Sequence, residues 1–258
     1  MGAPLTLENV RVQYGDRVVL SDITASFDAG RITGLVGPNG AGKTSLLRAC
    51  VGLLPVSSGG VRVLDFPRAH WSREALARAI AYLPQGAEAH WPVESRRLVA
   101  LGRMPHRAPF SPLAASDLAA IDDALARCDA APFAARRVDR LSAGERARVL
   151  LARALATGAP ILLADEPAAH LDPAHQLRLM ELLREEANRG TGVVVTMHDL
   201  TAASRFCDAL LVLKGGRMLA HGRPAEALSD ANLAEAFGVS PLRQAGGEAL
   251  PVIPWKRI

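Results

Sequence analysis

Gly37-Pro38-Asn39-Gly40-Ala41-Gly42-Lys43-Thr44-Ser45 matches the phosphate-binding pattern G-x-x-x-x-G-K-[ST] at every fixed position. The chain has only three lysines, so a chance match is expected on the order of once in several hundred such sequences. An apolar run, Ile32-Thr33-Gly34-Leu35-Val36, leads in as a buried strand does, and Ser45-Leu46-Leu47-Arg48-Ala49-Cys50-Val51 leads out at helical spacing. Strand, loop and helix are the setting the motif requires. Glycines let backbone N–H groups turn inward onto phosphate oxygens, and the helix beginning near Gly42 adds its positive dipole end. Lys43 supplies a cation for the β- and γ-phosphates, the Thr44 hydroxyl is a ligand for Mg²⁺, and Ser45 falls on the helix surface. This stretch predicts a nucleoside triphosphatase.

At 258 residues and 49% hydrophobic content, the chain is long enough for one large α/β domain or two small lobes. No apolar run reaches the roughly 18 residues a membrane helix needs, because charges such as Arg153 and Asp165 interrupt the longest candidates. With no secretory signal pattern at Met1, the expected location is the cytoplasm. Cys50, Cys128 and Cys207 lie far apart and odd in number, which predicts buried, reduced thiols rather than disulfides or a metal site. The net charge of +4 is spread over arginines along the chain, so no nucleic-acid partner is expected; attraction to an anionic membrane surface or an acidic partner is compatible with it.

From Thr6 to Phe27 the pattern is short and β-like. Leu7 to Val12 alternates, Tyr14-Gly15-Asp16 turns, and Val18-Val19-Leu20 and Ile23-Thr24-Ala25-Ser26-Phe27 read as further short strands of an antiparallel sheet beside the phosphate loop. Tyr14 is open to two readings: a hairpin aromatic covering the sheet, or a platform for the adenine ring. Gly60 to Asp65 and Ile80-Ala81-Tyr82-Leu83 read as strands, the second ended by Pro84-Gln85-Gly86. From about Glu88 to Thr157 the texture is helical, with Pro105, Pro109 and Pro112 marking a connector and Ser116-Asp117 offering an N-cap. The division predicted is a nucleotide-binding α/β lobe from 1–87 and 158–258 with a helical lobe, 88–157, inserted in it.

The apolar strand Ile161-Leu162-Leu163-Ala164 ends in Asp165-Glu166-Pro167, two carboxylates at the edge where α/β sheets place ligands. Asp165 suits the Mg²⁺-binding acid, and Glu166 the group that polarises the attacking water. A helix from Pro173 to Asn188 carries Leu177, Met180 and Leu183 as core positions, and strand Gly192 to Thr196 leads to His198, which can face the γ-phosphate. His170 and His175 fit no zinc spacing and read as surface histidines. Two more strands, Ala209 to Lys214 and Arg217 to His221, precede two short helices and an extended tail.

These residues together resemble the ATP-binding cassette (ABC) ATPases, in the family's order and over nearly the whole chain. The resemblance implies an α/β fold: a P-loop NTPase core with an antiparallel β subdomain and an inserted helical subdomain. It makes Tyr14 the adenine-stacking aromatic, and Gly37, Pro38, Asn39, Gly40, Ala41, Gly42, Lys43, Thr44 and Ser45 the ATP-binding loop. Gln85 matches the glutamine loop, giving Mg²⁺ contacts at Thr44, Gln85 and Asp165 and a catalytic set of Glu166, His198, Lys43 and Gln85. Leu141-Ser142-Ala143-Gly144-Glu145 looks like the signature L-S-G-G-[QE], whose Ser142, Ala143, Gly144 and Glu145 would meet the ATP of a partner subunit; Asp172 belongs to the dimer loop. Ala143 replaces the usual glycine, which matters only if the backbone there is left-handed, and Ala147 replaces a usual glutamine.

The implied partners are a second copy of the chain, transmembrane permease subunits and a substrate-binding protein acting through the permease, with the ATPase on the inner face of the membrane. Val99-Ala100-Leu101-Gly102-Arg103-Met104-Pro105-His106 resembles the G-R-x-P-H element of importers for iron chelates, haem and cobalamin, with zinc and manganese importers as near neighbours and a soluble, non-transport cassette ATPase as the alternative class. Arg103 and His106 either touch the permease or cap the connector.

Overall fold

Alternating polarity at the N-terminus becomes two long antiparallel strands, β1 (Leu5–Tyr14) and β2 (Arg17–Phe27), in a computed structural model that describes residues 3–86, 92–108, 110–242 and, in backbone, 253–257. Val18–Leu20 and Ile23–Phe27, read as separate short strands, are one continuous strand. Asp22 takes a left-handed φ of 58° at a bulge, which absorbs the shift in register without ending the pairing. β3 (Ile32–Val36), buried along its whole length, feeds the phosphate loop and α1 (Lys43–Cys50). β4 (Ser58–Val63) and β5 (Phe66–Pro67) complete an antiparallel sheet in the order β2-β1-β4-β5.

α2 (Arg73–Ala79) leads into β6 (Ile80–Leu83). Three helices follow, α3 (Ser95–Ala100), α4 (Ala115–Arg127) and α5 (Ala143–Leu155), which pack on one another before the chain enters β7 (Ile161–Ala164). The start assigned to this helical stretch, residue 88, lies outside the described residues, as does Pro109. Then come α6 (Pro173–Asn188), β8 (Gly192–Thr196), α7 (Leu200–Phe206), β9 (Ala209–Lys214) and β10 (Arg217–Gly222). α8 (Pro224–Ala227), α9 (Asp230–Phe237) and an antiparallel pair, β11 (Val239–Leu242) with β12 (Ile253–Arg257), end the chain.

The central sheet runs β10-β9-β3-β8-β7-β6, parallel except at the β10 edge. Strands covered on both faces must be apolar throughout, which is why β3, β7 and β8 read as unbroken buried runs rather than alternating ones. Because β3, β8 and β7 are neighbours, the segments leaving their carboxyl ends are brought to one edge. Those segments are the phosphate loop, His198 and the Asp165-Glu166 pair.

One core cluster lies between the central sheet and the helices, with Leu151 and Ile121 fully buried in it, and a second joins α1 to the antiparallel sheet. Met180 and Leu183 are buried as expected, but Leu177 is 41% exposed. The buried face of α6 is set by Leu179, Met180, Leu182, Leu183, Glu186 and Ala187, and at about 100° per residue Leu177 falls on the far side of it. The three thiols are free and buried, and burial pushes those of Cys50 and Cys207 up to about 12.

Arg103 and His106 are connector caps. Arg103 donates from Nε to Asp117 Oδ1 at 2.9 Å and from Nη1 to the Ala156 carbonyl at 2.8 Å, while His106 Nε2 donates to the Thr157 carbonyl at 2.8 Å. These carbonyls sit at the C-terminal end of α5, where no further helical N–H exists to meet them. Gly102 makes the approach possible, since a Cβ there would lie 2.2 Å from the Arg153 carbonyl oxygen. Gly102→Ala is therefore expected to destabilise the fold by about 1–3 kcal/mol, read as a lower urea-unfolding midpoint; an unchanged midpoint would refute so close a seat.

Candidate nucleotide site

The phosphate loop ends at Gly42, whose φ of 104° is a turn that only glycine adopts without strain, and α1 begins at the next residue. The amides of its first turn have no preceding helical carbonyls to meet, so they face the loop as anion donors. Lys43 is 6% exposed and donates from Nζ to the carbonyls of Gly37 at 2.8 Å and Pro38 at 3.3 Å. Burial lowers its pKa, while the charges of Glu166 and Asp165 pull it back up. Its present partners are neutral carbonyls, so the ammonium can be handed to a phosphate without breaking an ion pair.

Asp165 is 1% exposed and is the hub of the site. Its Oδ1 accepts from the Thr44 hydroxyl at 3.2 Å and from the Thr196 hydroxyl at 2.8 Å. Its Oδ2 is buried with no partner, which a carboxylate tolerates only where a cation or donor can reach it. Thr44 and Asp165 offer oxygen donors alone, and no group of three His, Cys, Asp or Glu side chains among the described residues forms an all-protein cage. That donor set suits a hard cation arriving with phosphate oxygens and water, not zinc.

Glu166 has a left-handed φ of 48°, a conformation that costs a non-glycine residue on the order of 1–3 kcal/mol. Three bonds hold it there. Its N–H donates to Thr196 Oγ1 at 2.6 Å, Gln85 Nε2 donates to its Oε2 at 2.7 Å, and His198 Nε2 meets its Oε1 in a short hydrogen bond. Gln85 thus reaches Glu166, at the edge that also carries Thr44 and Asp165. Thr196 is the member that sequence reading missed. A hydroxyl closing the apolar run Val193-Val194-Val195 was the available signal, since a buried hydroxyl must find partners. The phenol of Tyr82, on β6, is pushed up mainly by burial and then by the charge of Asp165.

Tyr14 stands 51% exposed at the β1–β2 turn, so its ring covers little of the sheet. Ser142 and Glu145 form a reciprocal cap on α5: Glu145 N–H donates to Ser142 Oγ at 3.3 Å, and Ser142 N–H donates to Glu145 Oε2 at 2.8 Å. Arg136 donates to the other Glu145 oxygen at 2.7 Å, and the Ser142 amide with Arg136 holds this carboxyl below its usual range. Ala143 opens the helix with an ordinary right-handed backbone, so its departure from glycine strains nothing. A cleft of about 470 Å³ runs from Gln85 and Glu166 to Ala143 and Ala147 at the start of α5.

Comparison with known proteins places these features in one family. The family model described as ABC transporter matches residues 20–169. The chain is 43% identical over 228 residues to the hemin import ATP-binding protein HmuV of Streptomyces coelicolor, covering 88% of this chain and 81% of that protein. It is 43% identical over 234 residues to the cobalamin import ATP-binding protein BtuD of Halobacterium salinarum, covering 90% of this chain but 58% of that one. Among solved structures, the dimeric structure of MJ0796, a bacterial ABC transporter cassette, aligns with a TM-score of 0.74 at 25% identity, covering 85% of this chain and 98% of that one.

Thr196→Val removes one donor and one acceptor that two carboxylate-bearing residues share. It is expected to destabilise the protein by about 1–3 kcal/mol, measured by chemical denaturation, with the Glu166 amide losing protection from hydrogen exchange. Unchanged protection there would refute the role given to Thr196.

Proposed function

The chain belongs to the ABC transporter family and is an ATPase, and on that premise we propose that it drives uptake of a haem- or cobalamin-type metal chelate through a separate permease. The observation that carries the chemistry is the single edge at which Lys43, Thr44, Asp165, Glu166 and His198 meet. ATP is seated on the loop Gly37 to Ser45, with Lys43 leaving the Gly37 and Pro38 carbonyls for the β- and γ-phosphates. Mg²⁺ fits the partnerless Asp165 Oδ2 beside the Thr44 hydroxyl, and when bound it neutralises charge on the phosphate oxygens. Glu166 orients the attacking water, held by Gln85 on one oxygen and His198 on the other.

The reading extends to a head-to-tail dimer in which Ser142 and Gly144 of one copy complete the ATP site of the other, with residues 88–157 as the helical lobe that carries them. Support comes from the capped start of α5, where Ser142 and Ala143 stand exposed at the helix end that carries the positive dipole. The named relatives are import ATP-binding proteins, which supports a transport path carried by separate permease subunits, and no helix among the described residues is long and apolar enough to cross a membrane. The chain then sits on the inner face of the membrane, with a substrate-binding protein acting through the permease.

A groove of about 890 Å³ supports a permease contact. Leu53 and Leu101 line it exposed, and Arg68 Nε and Trp71 Nε1 are buried there without partners. Arg153, also lining it, has its pKa lowered by burial alone. An apolar helix bearing a hydrogen-bond acceptor matches that lining.

Glu166→Gln is expected to keep ATP binding and lower turnover a hundredfold or more; near-normal hydrolysis refutes the assignment. Trapped with ATP in its host, that form should recover a multi-span permease from solubilised membranes, and recovery of ribosomes, DNA or a soluble factor alone would overturn the importer reading. Adding Arg153→Glu should cut permease recovery by about tenfold or more, and undiminished recovery would remove the groove from the interface.

A further inference from the structure

Gly144 lies in the first turn of α5, where alanine would serve the helix better by up to about 1 kcal/mol. Any side chain there would meet His175, whose ring would have to move. A Cβ on Gly144 would lie 1.8 Å from His175 Cδ2 and 2.4 Å from both Cγ and Nε2, so the imidazole rests on the glycine backbone. His175 is therefore not the plain surface histidine its sequence setting suggests.

The ring is held from the other side by Asp172. That residue caps α6 by accepting the His175 N–H on Oδ1 at 3.0 Å, and its Oδ2 lies 2.6 Å from His175 Nδ1. Both carboxylate oxygens thus address one residue, and the second directs the ring toward Asp172. On the far side, the Ser142–Glu145 cap and Arg136 hold the α5 start rigid. Asp172, Ser142 and Ala143 remain exposed on the two loops so joined.

We propose that His175 is a positioning residue that sets the spacing between the loop carrying Asp172 and the loop carrying Ser142 and Gly144, so that one subunit offers both to its partner as a single rigid surface. The inference rests on the head-to-tail dimer proposed above. Gly144 is then a glycine because of a contact inside its own chain, apart from any approach by the partner's nucleotide. The two causes separate experimentally: a clash with His175 disappears when His175 is shortened, and a clash with nucleotide does not.

The test uses the full chain carrying Glu166→Gln, with ATP-dependent dimerisation followed by sedimentation and binding of a fluorescent ATP analogue measured on the dilute monomer. His175→Ala should weaken dimerisation about tenfold while leaving monomer nucleotide affinity within about twofold. Gly144→Ala should weaken dimerisation further, and adding His175→Ala to it should restore about tenfold or more. His175→Asn, which retains a donor for Asp172 but no ring, gives the same pair of results should the alanine form fold poorly. Dimerisation untouched by His175→Ala, or a Gly144→Ala defect equally deep with and without His175, overturns the inference and leaves the dimer intact. A Glu166→Gln parent that stays monomeric at saturating ATP overturns the dimer reading itself, and this inference with it.

Discussion

One buried carboxylate oxygen organises the site. Asp165 Oδ1 sits at the end of β7 and accepts two hydroxyls, Thr44 from α1 and Thr196 from β8. A charge removed from water is tolerated only when donors replace its hydration, so burial of Asp165 forces both neighbours to meet it. The first helix cannot slide along the sheet without breaking a bond to β7. Neither can β8 shift register, because Thr196 also receives the Glu166 amide. The other oxygen is left buried and without a partner at the same edge.

Glu166 is positioned by constraint rather than by preference. Its backbone lies in a region that disfavours side chains, and it stays there because Gln85 at the end of β6 and His198 at the end of β8 grip its two oxygens. Lys43 faces this pair of acids as a buried cation without an ion-pair partner among the described residues. Two carboxylates would repel a bare triphosphate, and one lysine does not balance them. A divalent cation entering with the nucleotide would resolve that imbalance, which is the electrostatic reason for proposing a metal-bound triphosphate here.

The helical segment is held to the core by ion pairs as well as by apolar packing. Arg127 at the end of α4 donates to Glu186 of α6 at 3.1 Å, and Arg178 of α6 donates to Asp129 at 2.8 Å. Burial raises the Glu186 pKa, which the charges of Arg127 and Arg189 oppose. Together with the seat of Gly144 on His175, these pairs connect α6 to both ends of the helical segment.

The sequence by itself determined the α/β class, the strand ends that carry chemistry and most of the residues that meet there. Those features are local: an apolar run of strand length, a glycine-rich turn, a lysine and a threonine opening a helix, and acids directly after a buried strand. Only the tertiary structure decided that Thr196 joins Asp165 to Glu166, that Gln85 donates to Glu166, and that Arg103 and His106 cap α5. It also turned Leu177 outward, merged two strands through Asp22 and set His175 on Gly144. Each of these depends on where a second element lies, and periodicity along one segment carries no information about the partner that a sheet or a helix packing brings against it.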